Sequence, residues 1–398
     1  MTDLIRIGAA FALIVALLRF RWNIGIVMLA GALFLGALYR IGPSAQARVL
    51  FLATIDPVTI NLVTGLVLIM VLENIIRKKG LLKRMMEAVV NVARDRCIAM
   101  AVLPGVIGLL PSAGGAAFSA PMVQEAAADA DMGPERKAFI NYWFRHIWEY
   151  ISPLYPGIVL AAAITKTPLN RMMLSQLPLP LAVVGVGALL AFRDLRTETV
   201  RGKRNGKELM ALFVTLLPIT LSIVLVAVFK LPLAVAMIAI VTAMFLLYRY
   251  SVSEIMTALR ESVSINVMLM VVGIMVFKGM LDASGAIEAL PAFFTLSGLP
   301  MGVVIFALPF IVGLLTGLTV GFVGATFPII TAMLGGHPEP AAVTFAFASG
   351  FAGVMLSPTH LCLLLTIKYF KADTAGTYRL MYLPIAIVFL IGLLQFLI

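Results

Sequence analysis

The chain has 398 residues, of which 62% are hydrophobic and 12% charged, with a formal net charge of +11. Soluble domains are nearer half apolar and a quarter charged, so an ordinary soluble globule is excluded and a polytopic membrane protein expected. The basic excess fits cytoplasmic loops of such a protein better than nucleic acid, because no basic run is interleaved with aromatic residues.

Hydropathy and turn signals predict spans near 3–20, 22–39 and 57–78 in the first part of the chain. GLLKRMMEAVVNVARD, 80–95, reads as an amphipathic helix lying along an interface. The apolar segment 97–127 is punctured by PSAGGAA and reads as a re-entrant hairpin. A span at 137–166 is interrupted by Ser152-Pro153, and a further span covers 172–192. The polar linker 193–207 follows. Beyond it come spans near 208–229, 231–248 and 263–281, an interfacial piece at 285–298, a hairpin at 299–335, a span at 342–370 broken at Ser357-Pro358, and a last span at 378–398.

Shifting the sequence by 205 positions aligns the two parts. Asn61 falls on Asn266, Gly80 on Gly285, Pro104 on Pro309, Gly108 on Gly313, Ser152-Pro153 on Ser357-Pro358, and Lys166 on Lys371. One offset serving motifs so far apart indicates a duplication. Five crossings per half is odd, so the second half is expected inverted. With the linker cytoplasmic, 22 of the 30 Lys and Arg fall on the linker's side and six on the other, with both termini outside. Met1–Phe20 lacks the marks of a cleavable signal peptide, and the expected location is the cell inner membrane.

The expected fold is therefore an all-α polytopic membrane protein of two inverted-topology repeats, with about ten spans, two re-entrant hairpins and two broken helices. Residues 1–79 and 208–284 would form a scaffold, and 96–192 and 299–398 the transport part, joined by the arms 80–95 and 285–298. Helices break inside a membrane only where protein or water satisfies the freed backbone groups, and such breaks at a repeat interface mark the sites of many secondary transporters. Candidate substrate contacts are Ser112, Gly114, Gly115, Thr316 and Thr319 at the hairpin tips, Ser152, Ser357, Thr359 and His360 at the breaks, and Arg145. Candidate ion-coupling residues are Ser112, Pro153, Thr319, Pro358, Glu149 and His146, with Na⁺ held at the Ser152 and Ser357 breaks. Arg145, Glu149 and Ser152 recur at i, i+4 and i+7, one face of a continuous helix. Arg145 would neutralise Glu149 or contact a substrate anion. His146 reads as a histidine bonded to backbone; His360 reads either so or as a group bonding substrate or carrying a proton. Cys97 and Cys362, 265 positions apart, suggest neither a disulfide framework nor a metal site.

LLPSAGGAAFSAP with RHIWEYISPLYPG resembles the ion transporter superfamily, which includes divalent anion/sodium symporters, gluconate permeases and arsenite pumps, and within it a family known only as a domain of unknown function. The resemblance covers essentially the whole chain. It implies a scaffold that forms a homodimer and a transport domain that moves as an elevator, carrying its substrate with Na⁺ or H⁺. Where the dicarboxylate symporters carry Ser-Asn-Thr at the tips, this chain has Ser112-Ala113-Gly114 and Gly317-Leu318-Thr319. The expected function is secondary active transport of a small organic anion, with the bilayer as the other partner and no cofactor beyond a coupling Na⁺. A cation/proton antiporter using Glu149 and His146 is the alternative, and an intramembrane enzyme using a histidine base the remote one. No HExxH, GxSxG or P-loop motif supports an enzyme or direct ATP coupling.

Overall fold

Apolar helices in a bilayer satisfy their own backbone hydrogen bonds, and every element of this chain is helical among the described residues. The structure is a computed structural model that describes residues 2–398 except 21, 94, 112–114, 129, 195–205 and 286–299. Most of the linker, nearly all of the second arm and the first hairpin tip, with Ser112 and Gly114, lie outside the described residues.

The first part comprises α1 (Thr2–Arg19), α2 (Ile24–Leu38), α3 (Pro43–Ile55), α4 (Pro57–Lys78), α5 (Leu81–Val92), α6 (Arg96–Ile107), α7 (Gly115–Ala126), α8 (Pro134–Arg145), α9 (Pro156–Ile164), α10 (Leu169–Gln176) and α11 (Pro178–Phe192). The second comprises α12 (Gly206–Ala227), α13 (Leu233–Leu247), α14 (Val252–Ser262), α15 (Ile265–Ala283), α16 (Met301–Thr316), α17 (Thr319–Met333), α18 (Pro340–Met355), α19 (Leu361–Phe370) and α20 (Thr374–Leu397). Adding 205 to the bounds of α6 gives 301–312, against 301–316 for α16; for α9 it gives 361–369, against 361–370 for α19. Among the described residues five helices, counting α10 and α11 as one, are long and apolar enough to cross a membrane: α4, α10–α11, α12, α15 and α20.

The ends of these helices follow from local chemistry. Asp56 caps α4 through a bond from Val58 N, with Pro57 at the first helical position. Ser251 and Glu254 form a capping box on α14. Gly80, at φ +67°, turns the chain out of α4 into α5. α3 and α14 are additions to the expected elements. α14 is amphipathic and α3 buries no residue, so neither carried a spanning signal.

One group of helices packs α2 on α15 and α4 on α13, so each half lends a helix to the other. Two asparagines pin this exchange. Asn61 on α4 accepts from Ala234 N at the start of α13, at 3.1 Å, and Asn266 on α15 accepts from Asn23, the cap of α2, at 2.9 Å. The second group contains α6 to α11 and α16 to α20, with a continuous aromatic core of Phe322, Phe327, Phe347 and Phe351. α5 packs on both α12 and α6 and so joins the groups. Its buried face, with Met85, Ala88 and Val89, matches the amphipathic reading of 80–95.

Two glycines let the hairpins sit against the broken segments. A Cβ at Gly108 would overlap the Arg145 carbonyl, and one at Gly313 would overlap that of Gly350. Both pairs are related by the same 205 positions.

Candidate functional site

The sequence led us to expect one interruption, at Ser152-Pro153. The structure instead ends α8 at Arg145, follows with a 3-10 turn at Ile147–Tyr150, and restarts at Pro156. Proline at a first helical position loses no bond, so Pro156 fixes the restart and Pro153 sits in the connecting turn. The expected common helical face of Arg145, Glu149 and Ser152 is therefore corrected: the first lies on α8, the second in the 3-10 turn and the third beyond it. The second break is shorter, from Leu356 to His360, between α18 and α19.

At both breaks the hydroxyls first serve their own turns. Ser152 Oγ accepts from Leu154 N at 3.3 Å. Ser357 Oγ lies 2.9 Å from Thr359 Oγ1 and accepts from Thr359 N, while Thr359 Oγ1 reaches the Leu315 carbonyl at 3.4 Å. Thr316 bonds back to the Val312 carbonyl. These contacts replace backbone pairs lost at the breaks.

The candidate residues that meet are Glu149, Thr319, His146 and His360. Thr319 Oγ1, at the start of α17, donates to Glu149 Oε2 at 2.7 Å. The other carboxyl oxygen of Glu149 lies 3.7 Å from His146 Nε2. His146 Nε2 in turn lies 3.2 Å from His360 Nε2. His146 Nδ1 is 2.5 Å from the Tyr142 carbonyl, which can only accept, so Nδ1 carries the ring proton and Nε2 presents a lone pair. The expectation of a backbone-bonded His146 holds at Nδ1, and Nε2 faces the cluster. Arg145 Nη1 donates to Cys362 Sγ at 3.3 Å. All of these residues except Thr319 are buried. Pro153 and Pro358 contribute through the turns alone, and Gly115 is the first residue of α7.

Cys362 escaped the sequence reading. Its partners Arg145 and His146 lie 217 and 216 positions away, and the signal that could have found it is the spacing His360-x-Cys362 at a helix start. Helix N-termini crowd the same point. α9, α17 and α19 all begin without a side-chain cap. Gly157 near the start of α9 packs on Thr319, and Gly317, in the left-handed region at φ +64°, packs on His360 and Ser357.

A cleft of about 350 Å³ approaches from one side, lined by Leu66, Glu73 and Arg77 of α4, by Pro111 and Pro156, and by Glu261. On the other side a cleft of about 550 Å³ is lined by Asp56, Ala163, Lys166, Lys278 and Asp282. Lys278 Nζ is held by Asp282 at 3.3 Å. No curated protein matches the chain. A family model described as "Protein of unknown function (DUF401)" matches residues 5–398, and the chain therefore belongs to the DUF401 family.

Proposed function

We propose that this protein is an elevator-type secondary active transporter of the ion transporter superfamily, built of two inverted repeats, which carries a small organic anion together with Na⁺ or H⁺. The observation that carries this reading is the meeting of three uncapped helix N-termini, of α9, α17 and α19, around a buried polar cluster. Each terminus contributes roughly half a positive charge, so three of them outweigh the single carboxylate of Glu149 and leave the site attractive to an anion. Anions recognised through backbone N–H groups need no arginine in contact, which suits Arg145 turned toward Cys362.

The exchange of α2 and α13 between halves, and the pairing of Gly108 with Arg145 and of Gly313 with Gly350, support two repeats related by a pseudo-twofold axis. The group containing α2, α4, α13 and α15 is the scaffold and the dimerisation surface in this reading, and the group with the breaks is the moving part. The Ser357 and Thr359 hydroxyls and the Leu315 carbonyl form a hard-oxygen group suited to Na⁺. The contact of Glu149 with His146 favours a second reading, cation/proton antiport, in which these two groups carry the proton.

The test is a thermal-shift panel on detergent-purified protein, in sodium and in choline buffer at two pH values, with carboxylates, sugar acids, sulfonates, phosphonates and amino acids. A ligand present at 100 times its dissociation constant adds ~2.7 kcal/mol, enough to read as a shift. One anion class shifting the melt, more so in sodium, supports the symporter and is followed by uptake in proteoliposomes. Shifts with sodium or pH and with no organic ligand replace it by the antiporter.

A further inference from the structure

We infer that His146, His360, Cys362 and Glu149 form a binding site for a thiophilic divalent cation of the zinc class, clamping the two broken segments together. The ligand atoms of the two histidines and the cysteine lie within 4.8 Å of one another, and all three residues are buried. They come from both halves: His146 follows α8, whereas His360 and Cys362 open α19.

Four features of the cluster match such a site. A tetrahedral Zn²⁺ with Zn–N of ~2.0–2.1 Å holds two imidazole nitrogens about 3.3 Å apart, and the two Nε2 atoms here are separated by 3.2 Å. His146 donates its other ring proton to the Tyr142 carbonyl, the outer contact that fixes a zinc-binding tautomer. Glu149 lies beside this group and would complete it as a fourth ligand by moving inward: Thr319 holds one carboxyl oxygen, and the other lies 3.7 Å from His146 Nε2. The donor set is soft, with sulfur and imidazole, and selects zinc over Na⁺, Mg²⁺ or Ca²⁺.

The cation-free cluster also has unfilled valence. The lone pair of His146 Nε2 points at His360, so His360 must place its proton on Nε2 to bond it. His360 Nδ1 is buried and makes no hydrogen bond of ordinary geometry, and the Gly317 backbone packed against His360 is the acceptor nearest to hand once Nδ1 carries the proton. Moving that proton from Nε2 to Nδ1, a change of tautomer with the ring left in place, frees both Nε2 lone pairs for the metal. Zn²⁺ entry displaces the thiol proton of Cys362 to solvent, with no change of oxidation state. A thiolate and a carboxylate balance the two charges of the ion, and the Arg145 guanidinium lies against the sulfur. The sulfur must move inward by roughly an ångström to reach ~2.3 Å from the metal.

The inference rests on the cluster's geometry and not on the transport reading, so it is tested by metal content. Protein is purified through a tag free of histidine, stripped by chelator and titrated with Zn²⁺ or Co²⁺. About one ion per chain is expected, with a sulfur-to-cobalt charge-transfer band in the near ultraviolet that Cys362→Ser removes and His337→Ala leaves unchanged. Zinc-edge X-ray absorption on the unaltered chain should find one sulfur among the first-sphere scatterers, a readout needing no variant. A chain that takes up no zinc at equilibrium, a band that persists in Cys362→Ser, or a first sphere without sulfur overturns the site.

Discussion

Thr319 and Glu149 show what a single side-chain contact does at this site. The hydroxyl donates to a buried carboxyl oxygen at 2.7 Å across 170 positions of sequence, tying the start of α17 to the first break. Hydrogen bonds to charged groups contribute ~1.5–3 kcal/mol, and an abandoned buried partner costs about as much. Thr319→Ala should therefore lower the melting temperature by several degrees and reduce uptake, while Thr319→Ser, which keeps the hydroxyl, should restore most of both. Equal melting of the two variants would show that the bond does not hold the break. The tip threonine was legible in the sequence because hydroxyls and glycines cluster there. Its partner was not, since Glu149 was assigned to Arg145 on the assumption of one continuous helix. The same assumption hid Cys362, whose neighbours are set by the breaks and not by helical periodicity.

At the scale of elements, the backbone contacts of the hairpins decide how closely they dock. Gly108→Ala and Gly313→Ala would each press a methyl into a carbonyl oxygen, of Arg145 and of Gly350, where backbone cannot yield cheaply. Overpacking of this kind costs ~1–3 kcal/mol. Each variant should melt several degrees lower than the parent, and Gly8→Ala, with nothing within 4 Å of the added Cβ, should melt unchanged. Equal melting of all three would mean that the hairpins are not seated against the breaks.

A second elemental contact joins the end of α4 to α14. Glu261 on α14 is paired with Lys78 and accepts from Asn74 Nδ2 at 3.2 Å, both on α4. The Lys78 ammonium and the Asn74 amide hold its carboxyl below the usual carboxylate value. A carboxylate depressed in the folded state stabilises above its unfolded value, ~4.3, and that stability is lost as pH falls through the lower folded value. The melting temperature of the parent should therefore fall more steeply below about pH 4 than that of Glu261→Gln. Parallel acid limbs would remove the pair as a tie between α4 and α14. α14 itself was illegible as an element because, at eleven residues and half polar, it resembles a loop to any reading tuned for spans.

For the whole molecule, the order of helices was legible because hydropathy sets long elements and a 205-residue offset sets their correspondence. What the offset cannot specify is which helices exchange between halves or where the clefts fall, since those depend on contacts between side chains far apart in sequence. The clefts now define a test of the elevator reading. α9 runs from Pro156, in the cleft with Glu73 and Arg77, to Ala163, in the opposite cleft with Lys166 and Lys278. If the part carrying α9 slides along α4, the first cleft narrows as the second opens. Met70 on α4 lines the first cleft. In a Cys97→Ser background, with buried Cys362 kept as the native residue, Met70→Cys should react with an impermeant thiol reagent from the linker's side alone. Saturating substrate with its coupling ion should change that rate severalfold, and Ala163→Cys, reached from the opposite side, should change in the reverse sense. Opposite changes require a body that moves relative to α4. A change of the same sign at both positions would mean that ligand closes the site in place, and no change at either would leave α4 and α9 a fixed pair and the elevator reading wrong.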